Sequence, residues 1–205
     1  MKSLNSFADH APKQEWLVSF FDLKESFFTG HSLGPMMYDM FRRFLRDAGL
    51  NEKNHFTAFA ELVNRLGWES DTALGLMMVN LAIENPQIAW YVDTLDIGVY
   101  YERKQVEDML IARDIKPKDV KSIVKSFKRI VETSFGTILN FGCFTDDENL
   151  VRLKWSMSDN LVFLYALYRF IEKCNLNREF NVSYLLDETV ERDAVSPVRL
   201  FGLYD

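Results

Sequence analysis

Lys116, Lys118, Lys121, Lys125, Lys128 and Arg129 stand in one short stretch with only Asp119 against them. Residues three and four apart share a helix face, so Lys118, Lys121, Lys125 and Lys128 predict a stripe of ammonium groups. Such a stripe neutralises phosphates and releases their counterions, which is the chemistry of docking on DNA or RNA. The same lysines on a solvated helix would do no more than keep it soluble, and an acidic partner protein or a second copy of the chain would suit them too. The formal net charge is −6, from 24 basic and 30 acidic residues. Without the stretch 116–129 the remainder holds 18 basic and 29 acidic residues, a net of −11. A chain so acidic elsewhere is not coated for nucleic acid or anionic membrane as a whole. Contact with a polyanion is therefore expected on that one helix.

The other chemistry-bearing residues point to little. Phosphate-cradling loops of the G-x-G-x-x-G, G-x-x-x-x-G-K or Ser-Gly-Gly type do not occur, so no nucleotide cofactor is expected by those routes. Zinc and iron–sulfur sites need soft ligands at short spacing, whereas Cys143 and Cys174 are far apart and His10, His31 and His55 form no helical pair. No metal is expected. Cys143 has no neighbouring base in sequence to activate its thiol, and reads as an inert buried cysteine. Asp146, Asp147 and Glu148 lack the spaced ligands and turn glycine of a calcium loop and read as a solvated turn. His31 has no visible acid or nucleophile partner, and Trp68, Trp90 and Trp155 have the spacing of core aromatics. Catalysis by this chain alone is not expected.

The elements that must position the lysines read as helices. Gly34-Pro35 opens a helix that Gly49 stops, with Met37, Met40, Phe41, Phe44 and Leu45 inward and Arg42, Arg43 and Arg46 on the other side. Thr57 and Ser70 cap the next two, the second apolar nearly all round from Ala73 to Ile83 and so expected in the centre, where Asn80 demands a partner. Pro86 starts a short helix, Glu102 to Ala112 makes another, and Pro117 opens the basic helix, whose Val120, Ile123, Val124, Phe127, Ile130 and Val131 face inward. Gly136–Phe144 and Leu150–Trp155 are β-prone runs around a polar loop, predicting a hairpin. Ser158 or Asp159 caps a last long helix, apolar from Leu161 to Ile171 except Arg169 and expected as a second buried core helix. The fold class is mainly α: a helical domain with a winged-helix-like segment and a small β-hairpin.

The chain has 205 residues, 48% hydrophobic and 26% charged, the balance of a folded globular protein. No apolar run reaches the roughly 18 residues of a membrane span. With two cysteines and no basic-then-apolar leader, the expected compartment is the cytoplasm. The expected organisation is a flexible lead over 1–13, an N-terminal helical half over 14–101 and a winged-helix-like C-terminal half over 102–205, packed as one globular unit. The abrupt stop after Leu203 suggests a domain cut from a longer protein.

Four segments carry a resemblance: Phe41-Arg42-Arg43-Phe44-Leu45-Arg46-Asp47-Ala48-Gly49-Leu50, Pro86-Gln87-Ile88-Ala89-Trp90-Tyr91-Val92, Lys121-Ser122-Ile123-Val124-Lys125-Ser126-Phe127-Lys128-Arg129 and Ser196-Pro197-Val198-Arg199-Leu200-Phe201-Gly202-Leu203. In that order they resemble the C-terminal helical region of bacterial phosphoadenosine phosphosulfate reductase family proteins. In that family the reductase-like domain lies upstream and carries the nucleotide loop. Its Ser-Gly-Gly loop and paired cysteines are absent here, so the resemblance implies a non-catalytic accessory module beside a reductase-like or sulfur-transfer domain. The alternative is a protein-interaction module or homo-oligomerisation domain of a sulfur-metabolism enzyme.

Overall fold

The computed structural model describes residues 4–8, 10, 12–156, 159–176, 179–186 and 192–203. The chain is mainly helical, with two small antiparallel sheets. In the N-terminal half, α1 (Gln14–Leu23), α2 (Phe27–Gly30) and α3 (Pro35–Asp47) precede a two-stranded hairpin of β1 (Asn51–Glu52) and β2 (His55–Phe56). Then come α4 (Ala58–Arg65), α5 (Asp71–Glu84) and α6 (Pro86–Thr94). The C-terminal half runs β3 (Tyr100–Tyr101), α7 (Arg103–Ile111), α8 (Pro117–Val131), α9 (Ser134–Thr137), β4 (Gly142–Phe144), β5 (Leu150–Arg152), α10 (Asn160–Lys173), α11 (Ser183–Leu186) and α12 (Pro197–Phe201).

Local signals set most boundaries. Thr57 accepts from the Ala60 N–H at 3.0 Å and Ser70 from that of Ala73 at 3.2 Å, satisfying donors that a helix start leaves open. Asp159 caps α10 through the Leu161 N–H at 2.8 Å, while the alternative cap Ser158 lies outside the described residues. Gly49, at φ 80°, ends α3, and the Leu50 N–H reaches back to the Leu45 carbonyl at 2.7 Å.

Helix α5 is buried continuously from Ala73 to Ala82 and forms the centre. Asn80 finds its partners there: it donates to the Ala48 carbonyl at 3.1 Å and accepts from the Tyr165 hydroxyl at 2.8 Å and from Arg169. Those bonds tie α10 onto α5 and so join the two halves. Another tie runs from the stretch read as a loose lead. Phe7 is fully buried with its ring 5.9 Å from Phe44, and the Ser6 and Phe7 N–H groups donate to Gln87 Oε1 at 3.1 and 3.3 Å.

The second sheet has the order β3-β5-β4, all antiparallel, with Tyr101 opposite Leu150 and Cys143 opposite Val151. Its central strand ends on Arg152, which is 1% exposed. Arg152 Nη1 donates to the carbonyls of Val92 and Leu95 at 2.8 and 2.9 Å, and Nη2 to those of Leu200 and Arg199, the former at 3.1 Å. One guanidinium thus clamps the end of α6, β5 and α12 together.

Two local expectations are corrected, and one hairpin carries no sequence signal. The run 136–141 is not strand: the Gly136 and Thr137 N–H groups bond to the Thr133 carbonyl in the short helix α9, and Leu139 and Phe141 are buried from irregular chain. Helix α10 is not buried all round, since only Val162, Ala166 and Phe170 lie inside, while Leu161, Leu164 and Tyr168 are 49%, 60% and 61% exposed. The β1–β2 hairpin gives no hydrophobic alternation to read, because its strands are two residues each.

Candidate nucleic-acid interface

Helix α8 buries Val120, Ile123, Val124, Phe127, Ile130 and Val131 on one side. Ser126, also buried, donates to the Ile123 carbonyl at 2.8 Å and receives the Gln87 amide, which fixes α8 against α6. Trp90 stacks on Phe127 at 5.9 Å between ring centres. With that face committed, Lys118, Lys121, Lys125 and Lys128 are exposed on the other.

They line one groove of about 480 Å³. Arg103, from the start of α7, and Phe144 and Glu148, from the β4–β5 hairpin, complete the lining with Ser122 and Val124. Lys128 sits with Nζ 3.6 Å from Glu148 Oε1 and 5.9 Å from the centre of the Phe144 ring. A cation against an aromatic face and a carboxylate is held in place rather than left to wander. Asp119, the one acid within the basic stretch, accepts from Asn5 Nδ2 at 3.2 Å.

Of the six basic residues expected to act, the groove therefore gathers Lys118, Lys121, Lys125 and Lys128. Lys116 caps the start of α8 as an exposed residue and Arg129 is half-buried, and neither lines the groove. Sequence reasoning missed Arg103, Phe144 and Glu148, which come from other elements and share no spacing with the lysines.

The remaining chemical candidates are placed apart from this groove. Burial pushes the Cys174 thiol up from its ordinary pKa, and Cys143 is half-buried on β4. His31 stacks on Tyr38 at 3.9 Å, Trp68 on Phe21 at 5.0 Å, and Trp155 meets Phe201 edge-on at 5.0 Å. Among the described residues no group of three or more His, Cys, Asp or Glu side chains could hold a metal ion, and no helix is long and apolar enough to cross a membrane. No protein-family profile, no curated protein and no solved structure matches this chain. The groove is read from its own residues.

Proposed function

We propose that the chain is a non-catalytic docking module that binds nucleic acid through the exposed face of α8. The observation that carries this is the gathering of Lys118, Lys121, Lys125 and Lys128 with Arg103 along one groove where Glu148 is the sole lining carboxylate among the described residues. Ten residues separate Lys118 from Lys128, roughly 15 Å of helix at the usual rise, a length that tracks several phosphates. The order β3, α7, α8, β4, β5, interrupted only by the short α9 and with β5 in the middle of the sheet, supports reading the segment as winged-helix-like with α8 as its recognition helix. Asp146 and Asp147 at the hairpin tip repel phosphates, so the helix rather than the hairpin makes the contact. What supports a place beside a sulfonucleotide enzyme is the sequence resemblance.

The test is fluorescence anisotropy on short double- and single-stranded DNA and RNA across a salt series. Five neutralised phosphates on duplex DNA give a log–log salt slope of about −4 to −5. Lys121→Glu with Lys125→Glu is expected to abolish binding; no binding by the unaltered chain at low salt rejects the reading.

A second reading, a protein-interaction or oligomerisation module, is favoured by the apolar stripe Leu161, Leu164 and Tyr168 on α10. It predicts salt-tolerant, concentration-dependent assembly in light scattering, lost on Leu164→Glu.

A further inference from the structure

We infer that the N-terminal half carries a second phosphate-binding site, formed by Arg42, Arg43, Arg46 and Lys53, which takes the backbone of a nucleic-acid strand. The inference rests on the reading of α8 only for the kind of polymer. A pocket of about 370 Å³ lies where α3 meets the turn between β1 and β2, lined by those four cations with Asn51 and Asn54. Arg46 lies four residues after Arg42 and three after Arg43, so it is a surface neighbour of each on α3. Among the described residues no carboxylate and no apolar side chain lines the pocket, so they offer it N–H donors and positive charge. Guanidinium groups match the paired oxygens of a phosphate.

Two of the cations are already oriented and two are available. Arg42 reaches Asn54 Oδ1 at 3.5 Å and Asp39 at 3.6 Å, and Arg46 holds Asp47 at 2.9 Å. No ion pair or hydrogen bond of the Arg43 or Lys53 side chain to another described residue is present. Asn51 is 6% exposed, and its Oδ1 is buried without a hydrogen-bond partner among the described residues. Lys53 adds an independent sign. It sits at φ 51°, followed by Asn54 at φ 66°, in a two-residue turn where glycine and asparagine are favoured. A lysine in the left-handed region costs the turn stability, and this one lines the pocket together with the arginines.

The experiment compares duplex DNA binding of the unaltered chain, the pair Arg43→Gln with Lys53→Gly, and the pair Lys121→Glu with Lys125→Glu. Glycine suits the turn, so the first pair keeps or raises the unfolding temperature and separates binding from folding. The expected result is an affinity loss of about tenfold and a salt slope shallower by about two for that pair, one per phosphate contact removed. Unchanged affinity and slope overturns the second site and leaves the α8 reading standing. Binding lost in the first pair but kept in the second overturns the α8 reading and leaves this site standing. Pyrophosphate binding by calorimetry that is lost in the first pair, with no duplex binding by the unaltered chain, assigns the pocket to a free phosphorylated compound and overturns the backbone assignment.

Discussion

Arg152 brings a positive charge into an interior where no carboxylate hydrogen-bonds to it, and carbonyl oxygens do the solvating instead. Burial, and after it the nearby Arg199, lowers its pKa to about 10, so the cation persists at neutral pH. Arg152→Met removes the charge but leaves the buried carbonyls of Leu95 and Leu200 without donors, while that of Val92 keeps Arg199 Nε at 3.0 Å and that of Arg199 the Gly202 N–H. At about 1–3 kcal/mol for each orphaned group, partly relieved by water, a loss of about 3 kcal/mol is expected in urea unfolding. Lysine has three donors on a single nitrogen and cannot span the four carbonyls, so Arg152→Lys is expected to recover only part of that loss. None of this was legible beforehand, because an arginine ending a β-prone run reads as a solvent-facing residue. The lysines were legible because their relation is local: spacing alone put Lys118, Lys121, Lys125 and Lys128 on one face. Arg103 and Glu148 joined them through the packing of α7 and the hairpin, which spacing does not encode.

Among the elements, the β1–β2 hairpin is held by a side chain from outside it. Glu25 Oε2 accepts from the Phe56 N–H at 2.7 Å and Oε1 lies 2.5 Å from His55 Nδ1. The Phe56 backbone bond first, then His55, holds the Glu25 carboxyl below its ordinary value. A carboxyl with a lowered folded pKa stabilises above its unfolded value, and that contribution fades as pH falls through the folded value. The Phe56 amide is therefore expected to keep its hydrogen-exchange protection at neutral pH and lose it on acidification below about 4.3, the ordinary glutamate value. In Glu25→Gln the protection is lower throughout and the acid step disappears. Long capped helices were readable because cap, apolar period and stop agree within one segment: Ser70 and the run after it are enough for α5. The segment 136–141 misled because its aromatic and β-branched residues fill the core without forming a ladder, and α10 because apolar composition all round does not specify which face finds a partner.

Over the whole molecule, the halves interlock. Gln87 of α6 holds residues 6–7 through its Oε1 and Ser126 of α8 through its amide, and α10 returns to cover α5. Phe7→Ala is accordingly expected to lower one cooperative unfolding transition by about 3–5 kcal/mol, a typical cost for a fully buried phenylalanine. Two separate transitions in calorimetry would contradict the interlock. Sequence alone could not reveal it, because Ser6, Phe7 and Gln87 are about eighty residues apart and no local period links them.

Strand β3 pairs only with β5, some fifty residues further on, and the Gly98 N–H likewise awaits the Arg152 carbonyl. On a ribosome adding roughly 5–20 residues per second, Tyr100 and Tyr101 wait about 3–10 s for their partner. Meanwhile α7 and α8, neighbours along the chain, have already emerged and can pack on each other. The lysine helix is thus made early and docks early on α6, but its groove is finished late: Phe144 and Glu148 arrive only with the hairpin, as Arg152 closes over the end of α6.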